Sequence, residues 1–176
     1  MDDEVFAELD SDESGQDFVI STDPILVTIY SRHAKQVLQE AETVAATAPG
    51  GALTGELLLL CLSANGECAA AQVLSGCGFD GATIARTITF VQGTWPAAEP
   101  GTAVVLSPRM ERVLIAAGHE AALQKRDQVD TLHLLVALLR ERQGVAALAL
   151  ESPGVGHEPV GAAISQAMRN GVTDPS

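Results

Sequence analysis

The chain has 176 residues, of which 47% are hydrophobic and only 3% aromatic, and its formal net charge is −13. That length can form one domain or two small ones with a real core, and an aliphatic composition so poor in aromatic residues favours helices. Residues 1–23 hold nine acidic side chains and no basic one, which leaves a net charge of only −4 on the rest. This distribution excludes the basic surface that nucleic acids or anionic membranes require.

An acidic arm, without regular structure, is predicted at residues 1–24 because charged and small polar residues dominate there. Two alternatives stay open for it. It is either a free solubilising tail, or a screen that folds back over grooves on the folded body and competes with partners. The basic residues it would meet lie near the starts of the helices described next.

Four helices are predicted in the first half, residues 25–91. The first follows Ser31, a suitable N-cap, through RHAKQVLQEAETVAATA, with apolar residues three and four apart. The second, GELLLLCLS, has Thr54 as its cap and an acidic residue, Glu56, in its first turn. The third, ECAAAQVLSG, ends before Gly78, which suits a left-handed position. The fourth follows Asp80 through ATIARTITFVQ.

Residues 92–106 contain two prolines, two glycines and the tryptophan, and they are predicted to be a linker. Four further helices follow within residues 107–170, before a tail at 171–176. The first has Ser107 as cap and Pro108 at the first helical position. The second, LHLLVALLRER, is capped by Asp130 or Thr131, and the third, GVAALALES, is stopped by Gly154. The fourth begins at about residue 158.

The two halves are related by a duplication, which becomes visible when the chain is displaced along itself without a gap. This displacement, which we call the repeat shift, places Ser31 on Ser107, Leu58–Leu59 on Leu134–Leu135, Leu62 on Leu138, Ala70–Ala71 on Ala146–Ala147, and Ile88 on Ile164. The predicted fold is therefore all-α, with eight short helices in two pseudo-symmetric four-helix repeats. Leu59 and Leu135 are expected at the centre of the core. Leu57, which falls on His133, is expected on a divergent and less buried side, with His133 a cap or surface residue.

The order of these motifs resembles the Clp N-terminal repeat domain, which precedes the ATPase modules of Clp-type AAA+ unfoldases. The resemblance rests on [ST]-x-x-A/M-x-x-V-L, then T-x-[EH]-LLLxLL, then G-x-x-A-A-x-x-L-x-x-x-G, duplicated over about residues 26–170. It implies a mobile docking platform without catalysis, whose partners are adaptors, substrate proteins or Clp ATPase and protease components. No GxxxxGK[ST] loop occurs here, so neither ATP binding nor an ATPase is expected.

The resemblance also implies a partner-binding site near the starts of the first and second helices. In Clp unfoldases of the Gram-positive type, a glutamate of the second helix is associated with recognising phosphorylated arginine. Glu56 aligns with that glutamate, whereas the second half has Leu132 at the matching position. The expected contact residues are Thr54, Glu56, Arg32, Lys35, Arg109 and Arg112. From the residues alone, Glu56 has a simpler explanation, since the helix dipole favours a first-turn carboxylate by roughly 0.3–1 kcal/mol.

No metal, cofactor or catalytic constellation is visible in the sequence. The four histidines (His33, His119, His133 and His157) are scattered, and even the nearest two, His119 and His133, are too far apart in sequence for a metal-binding i, i+4 pair. No GxSxG motif occurs. We therefore expect no metal and no cofactor.

The cysteines Cys61, Cys68 and Cys77 form no CxxC motif, which favours reduced thiols acting as small hydrophobic residues. With apolar runs of only six residues, such as Leu57–Leu62, and no secretory signal, a cytoplasmic protein is expected. One alternative function stays open. The chain would be a small-ligand or thiol-based sensor or enzyme, using a pocket between the two repeats.

Overall fold

The computed structural model describes residues 29–48, 51–92, 104–141, 144–150 and 157–175. The acidic arm, most of the linker and Gly154 lie outside these residues. The described elements are α1 (Arg32–Ala45), β1 (Ala52–Leu53), α2 (Gly55–Ala64), α3 (Ala69–Gly76), α4 (Gly81–Gln92), β2 (Val105–Leu106), α5 (Pro108–Leu123), α6 (Thr131–Arg140), α7 (Val145–Leu150) and α8 (His157–Arg169). The predicted all-α fold with eight short helices is confirmed.

Two short backbone pairings show how the repeats interlock. β1 and β2 pair in parallel, with Leu53 opposite Leu106. Tyr30, just before α1, makes an isolated parallel bridge to Val129, just before α6. The repeat shift converts one pairing into the other, so each repeat pairs the segment before its first helix with the segment before the second helix of the other repeat. The sequence did not predict these contacts, which join the two repeats into one body.

The core is a single aliphatic cluster to which both repeats contribute. α2 lies at its centre and contacts α1, α3 and α4 of its own repeat as well as α5, α6 and α7 of the other. The expectation that Leu57 lies on a less buried side of the helix is wrong. Both leucines are in the core, with only 2% of Leu57 and 0% of Leu59 exposed. Because α2 is covered by helices of both repeats, nearly all of its surface is core surface. The partly buried leucine of this run is Leu60.

Most of the predicted helix starts are confirmed. The Ser31 and Ser107 hydroxyls accept hydrogen bonds from the backbone of Ala34 and Met110, each at 3.1 Å. Asp80 Oδ1 accepts one from Thr83 N at 2.7 Å, which together with the Thr83 hydroxyl lowers the pKa of this carboxyl group. Gly78 has the predicted left-handed conformation, with φ +84°.

The second helices differ from expectation at their starts. Thr54 precedes α2 but makes no capping hydrogen bond, and its Oγ1 is buried without a partner. Asp130 caps α6 by accepting from the amides of Leu132 and His133. The His133 Nδ1 accepts in return from Asp130 N at 3.0 Å, completing a capping box. His133 is therefore a cap, as predicted, but it is buried, with 1% exposed, and not on the surface.

Within the described residues, no single helix is long and apolar enough to cross a membrane. α2 and α3 taken together pass that test of length and composition, but they meet at 86°. Their leucines Leu57, Leu58, Leu59, Leu62 and Leu74 are already buried in the core.

Candidate functional site

A groove opens where the start of α2 meets the start of α5, the end of α6 and the start of α7. Its volume is about 510 Å³. The groove lies between the two repeats, because α2 belongs to the first repeat and the other three helices belong to the second. We call it the inter-repeat groove, and the residues that line it are Thr54, Gly55, Glu56, Ser107, Pro108, Arg109, Arg112, Val113, Leu138, Glu141, Gly144 and Ala146.

A glycine at the first position of α2 lets that helix approach its neighbours. A Cβ added to Gly55 would lie 3.1 Å from Leu138 Cδ2 and 3.9 Å from the Ala146 Cβ. The first contact is tighter than ordinary packing, so a larger residue here would require the Leu138 side chain to shift by a few tenths of an ångström. A Cβ at Gly144 would lie 2.9 Å from Glu141 Oε2, the end of a flexible side chain that can move aside. Gly55 is therefore the glycine of the lining whose replacement meets the core packing of α6.

Glu56 reaches across the groove to the other repeat. Its Oε1 accepts a hydrogen bond from Val145 N, the first amide of α7, at 3.2 Å. A carboxylate at a helix start satisfies an amide that the helix itself leaves unpaired and lies at the positive end of the helix dipole. Glu56 therefore does more than stabilise its own helix, because it caps a helix of the second repeat from inside the groove.

The opposite wall of the groove is basic. Arg112 donates from Nη1 to the Pro108 carbonyl at 3.2 Å and from Nη2 to Glu141 Oε1 at 3.5 Å. The Arg112 side chain is 61% exposed, so this ion pair contributes little to stability. Arg109 lies on the same wall, one residue after Pro108. The groove thus combines two guanidinium groups with two carboxylates.

The groove brings together four of the six residues expected to contact partners, namely Thr54, Glu56, Arg109 and Arg112. Arg32 and Lys35 lie on α1, outside its lining. Sequence reasoning missed Glu141 and Gly144. Both stand near the α6–α7 connection, and only the approach of α2 gives them a place in the site, so no signal in the second repeat could have identified them.

The cysteines lie away from the inter-repeat groove, and burial raises the pKa of all three thiols. Burial raises the pKa of Cys61 to about 11, and the Glu40 carboxylate contributes to this rise. Burial also raises the pKa of Cys68 and of Cys77. Cys68 has a structural task, since its Sγ accepts from Ala71 N at the start of α3. The thiol-based version of the alternative function therefore lacks the low-pKa thiolate that it needs.

These pKa directions predict slow reaction of the native thiols with a thiol-specific disulfide reagent at pH 7.4. With a pKa of about 11, the thiolate fraction of Cys61 at that pH is on the order of 10⁻⁴. Cys77, the partly exposed thiol, should react first, and denaturant should speed all three. Rates should rise with pH, because deprotonation of raised-pKa thiols requires more alkaline solution. A native thiol that reacts faster than its denatured form would contradict this expectation.

Within the described residues, no group of three or more histidine, cysteine, aspartate or glutamate side chains is placed to hold a metal ion. Two buried histidine atoms, His33 Nδ1 and His133 Nε2, have no hydrogen-bond partner. Neither residue lines the inter-repeat groove.

The chain is similar to known proteins over most of its length. A family model, the Clp repeat (R) N-terminal domain, matches residues 29–153 and 106–175. The chaperone protein ClpB of Oceanobacillus iheyensis and the negative regulator of genetic competence ClpC/MecB of Bacillus subtilis are each 29% identical to the chain over 126 residues. These alignments cover 72% of this chain but only 15% of each relative, so the chain spans about 15% of the length of these curated proteins.

Among solved structures, the Hsp104 N-terminal domain from Candida albicans matches with a TM-score of 0.61 and 15% identity, over 83% of this chain and 94% of that one. A structure from a malarial protein secretion system matches with the same TM-score and 16% identity, over 80% and 95% of the two chains. At this level of identity, the likeness concerns the fold alone.

Proposed function

Because the chain belongs to the Clp repeat (R) N-terminal domain family, we propose that it is a non-catalytic protein-interaction module. The family is known for interactions with adaptors and substrates in Clp unfoldases. In this proposal the inter-repeat groove docks adaptors, substrate proteins or Clp ATPase and protease components. A cytoplasmic setting is part of the proposal, and the free cysteines suit a reducing compartment.

The observation that carries this proposal is the composition of the inter-repeat groove. Four partner-binding candidates from two repeats line one concave surface, with both signs of charge within reach of a bound chain. Thr54 Oγ1 is buried beside the groove without a hydrogen-bond partner. Among the described residues that line the groove there is no histidine, cysteine or lysine, and its two carboxylates, Glu56 and Glu141, already hydrogen-bond to Val145 N and to Arg112.

The alternative, a small-ligand sensor between the repeats, has one observation in its favour. The groove volume of about 510 Å³ falls within the range of small-molecule sites. The groove is open, however, and its walls carry exposed arginines at the rim. Such an open, charged surface suits a segment of polypeptide better than an enclosed ligand.

Reversing the charge of the basic wall should weaken the docking of partner proteins. We expect the double variant Arg109→Glu/Arg112→Glu to lose partner affinity by at least tenfold, or about 1.4 kcal/mol, because opposite charge at this wall repels the groups that it attracts now. Partners would be captured from a lysate of the source and quantified by mass spectrometry. Each captured protein would then be purified and its affinity for both forms measured by calorimetry.

The matched control is Arg86→Glu/Arg126→Glu, which makes the same charge change at two exposed arginines outside the groove. Proteins retained by the wild type and the control but lost by the groove variant are the expected result. Circular dichroism and thermal unfolding should show all three forms to be folded. If the groove variant binds every partner as tightly as the control does, docking does not use this groove.

A further inference from the structure

A buried aspartate anchors the segment that follows α8. Gly171, with φ +72°, ends the helix, and the amides of Gly171 and Val172 donate back to Met168 and Ala167 carbonyls. Of residues 171–175, only Asp174 is buried, with 9% of its surface exposed. Beyond the helix end, the segment is thus held to the body mainly through one side chain.

The Asp174 carboxylate is held by groups at the starts of three helices. Its Oδ2 accepts from the Ser31 hydroxyl at 2.7 Å and from Thr131 N at 2.9 Å. Its Oδ1 accepts from the Thr131 hydroxyl at 2.5 Å and from Ala69 N at 3.1 Å. Ser31 caps α1, Thr131 begins α6 and Ala69 begins α3. Three positive helix ends therefore converge on one negative charge.

The duplication relates this site to the inter-repeat groove. The repeat shift places Ser31 on Ser107, and Ala69 on Val145. The same shift places Gly55 on Thr131. Ser107 and Gly55 line the inter-repeat groove, and the Val145 amide is satisfied there by Glu56. The Asp174 site is thus the pseudo-symmetric counterpart of the groove.

The two counterparts differ in where the carboxylate comes from. In the groove, Glu56 supplies it from α2 itself. In the second repeat the matching residue is Leu132, which carries no charge, so the equivalent amide, that of Ala69, has no carboxylate from α6. Asp174 supplies it instead, from a segment outside the repeat. In both sites a carboxylate accepts from the first amide of a repeat's third helix, but here the carboxylate comes from the segment that follows α8.

We propose that the site formed by Ser31, Ala69 and Thr131 is a receptor for the aspartate of an extended peptide. The chain's own Asp174 occupies it in cis and closes the second of two pseudo-equivalent grooves. An aspartate-bearing extended segment of a partner binds there when the segment that follows α8 is displaced. This inference concerns a different surface from the proposed docking groove and does not depend on that function.

Whether a partner peptide can replace Asp174 depends on how strongly this one side chain competes for the site. Because Asp174 is only a few residues from the end of α8, its effective concentration at the site is high, and a peptide added in trans competes poorly with it. Removing the Asp174 carboxylate removes this competition but leaves the three helix starts in place. Binding in trans should then become measurable.

The test uses the full chain and a fluorescein-labelled synthetic peptide with the sequence of residues 169–176, RNGVTDPS. Fluorescence anisotropy should show at least about tenfold tighter binding to the Asp174→Ala protein than to the wild type. The same peptide with asparagine in place of its aspartate should bind Asp174→Ala more weakly than the aspartate peptide does. Adding Thr131→Val to Asp174→Ala, which removes the hydroxyl donor, should weaken binding again. The control variant Asp127→Ala, at an exposed aspartate, should behave as the wild type does.

Equal binding of the aspartate and asparagine peptides, or equal binding to the wild type and Asp174→Ala, would overturn the proposal. A second measurement needs no variant. Millimolar aspartate peptide added to the wild type should shift the NMR amide signals of Ala69 and Thr131, whereas the asparagine peptide should not. If the amide signals of both residues stay in place with the aspartate peptide, the site is closed to exchange and the proposal fails.

Discussion

Replacing Leu59 with alanine is expected to lower the free energy of unfolding by about 2–5 kcal/mol. The Leu59 side chain is fully buried, so the change removes apolar contacts and leaves a cavity that closely packed neighbours cannot fill. Leu135, its counterpart in α6, is equally buried and should give a loss in the same range. Leu57→Ala should also fall in this range, because Leu57 is buried and α2 as a whole is covered by helices of both repeats.

Leu60→Ala is the matched control within the same helix. Leu60 is only partly buried and lies on the outer side of α2, beside Cys61 in a shallow groove against α1. Its truncation should cost less than half as much as that of Leu59. Urea denaturation of the four variants, with unchanged dependence on denaturant, measures this difference. If Leu57→Ala proves as mild as Leu60→Ala, the burial of α2 between the repeats is incorrect.

The parts of the fold that the sequence predicts are those encoded locally. Ser31, Ser107 and Asp80 cap their helices because a short polar side chain can reach an amide three residues on. Gly78 takes a left-handed conformation for which glycine has no steric penalty. The duplication was visible because apolar positions recur in both halves, and a core that is shared between pseudo-equivalent helices needs the same positions filled.

The missed features depend on contacts between distant parts of the chain. Periodicity indicates which faces of a helix are apolar but not which other helix covers them, so it could not show that Leu57 is buried. The Glu56–Val145 hydrogen bond joins residues 89 apart, and the Ser31–Asp174 bond residues 143 apart. Thr54 has the residue type of a cap, but its hydroxyl makes no such bond. Local sequence therefore indicates candidate residues but not the residues that they contact.

The two carboxylates satisfy equivalent helix starts in repeats that differ in sequence at this position. An amide at the start of α3 and its counterpart at the start of α7 each need an acceptor. The first repeat retains Glu56 on α2, and this carboxylate serves α7. The second repeat has a leucine at that position, and Asp174 serves α3. The absence of a polar group at Leu132 is thus offset by a segment that the repeat pattern itself does not contain.

Replacing Asp174 with alanine should consequently lower the free energy of unfolding by about 1.5–3 kcal/mol. The change removes the acceptor for the amides of Ala69 and Thr131 and for the hydroxyls of Ser31 and Thr131. It also removes the one negative charge at which three helix starts converge. The loss stays below the stability of a typical domain, so the variant should remain folded. Asp174→Asn keeps one acceptor oxygen and should give an intermediate loss.

Chemical denaturation measures these losses, with Asp127→Ala as the control. Asp127 is exposed in the turn between α5 and α6, so its truncation should change stability by no more than about 0.5 kcal/mol. Amide hydrogen exchange gives a local readout, since Ala69 and Thr131 should exchange faster in Asp174→Ala while amides in the middle of α2 change only with global stability. Equal stability of Asp174→Ala and Asp127→Ala would mean that the carboxylate does not hold the three helix starts together.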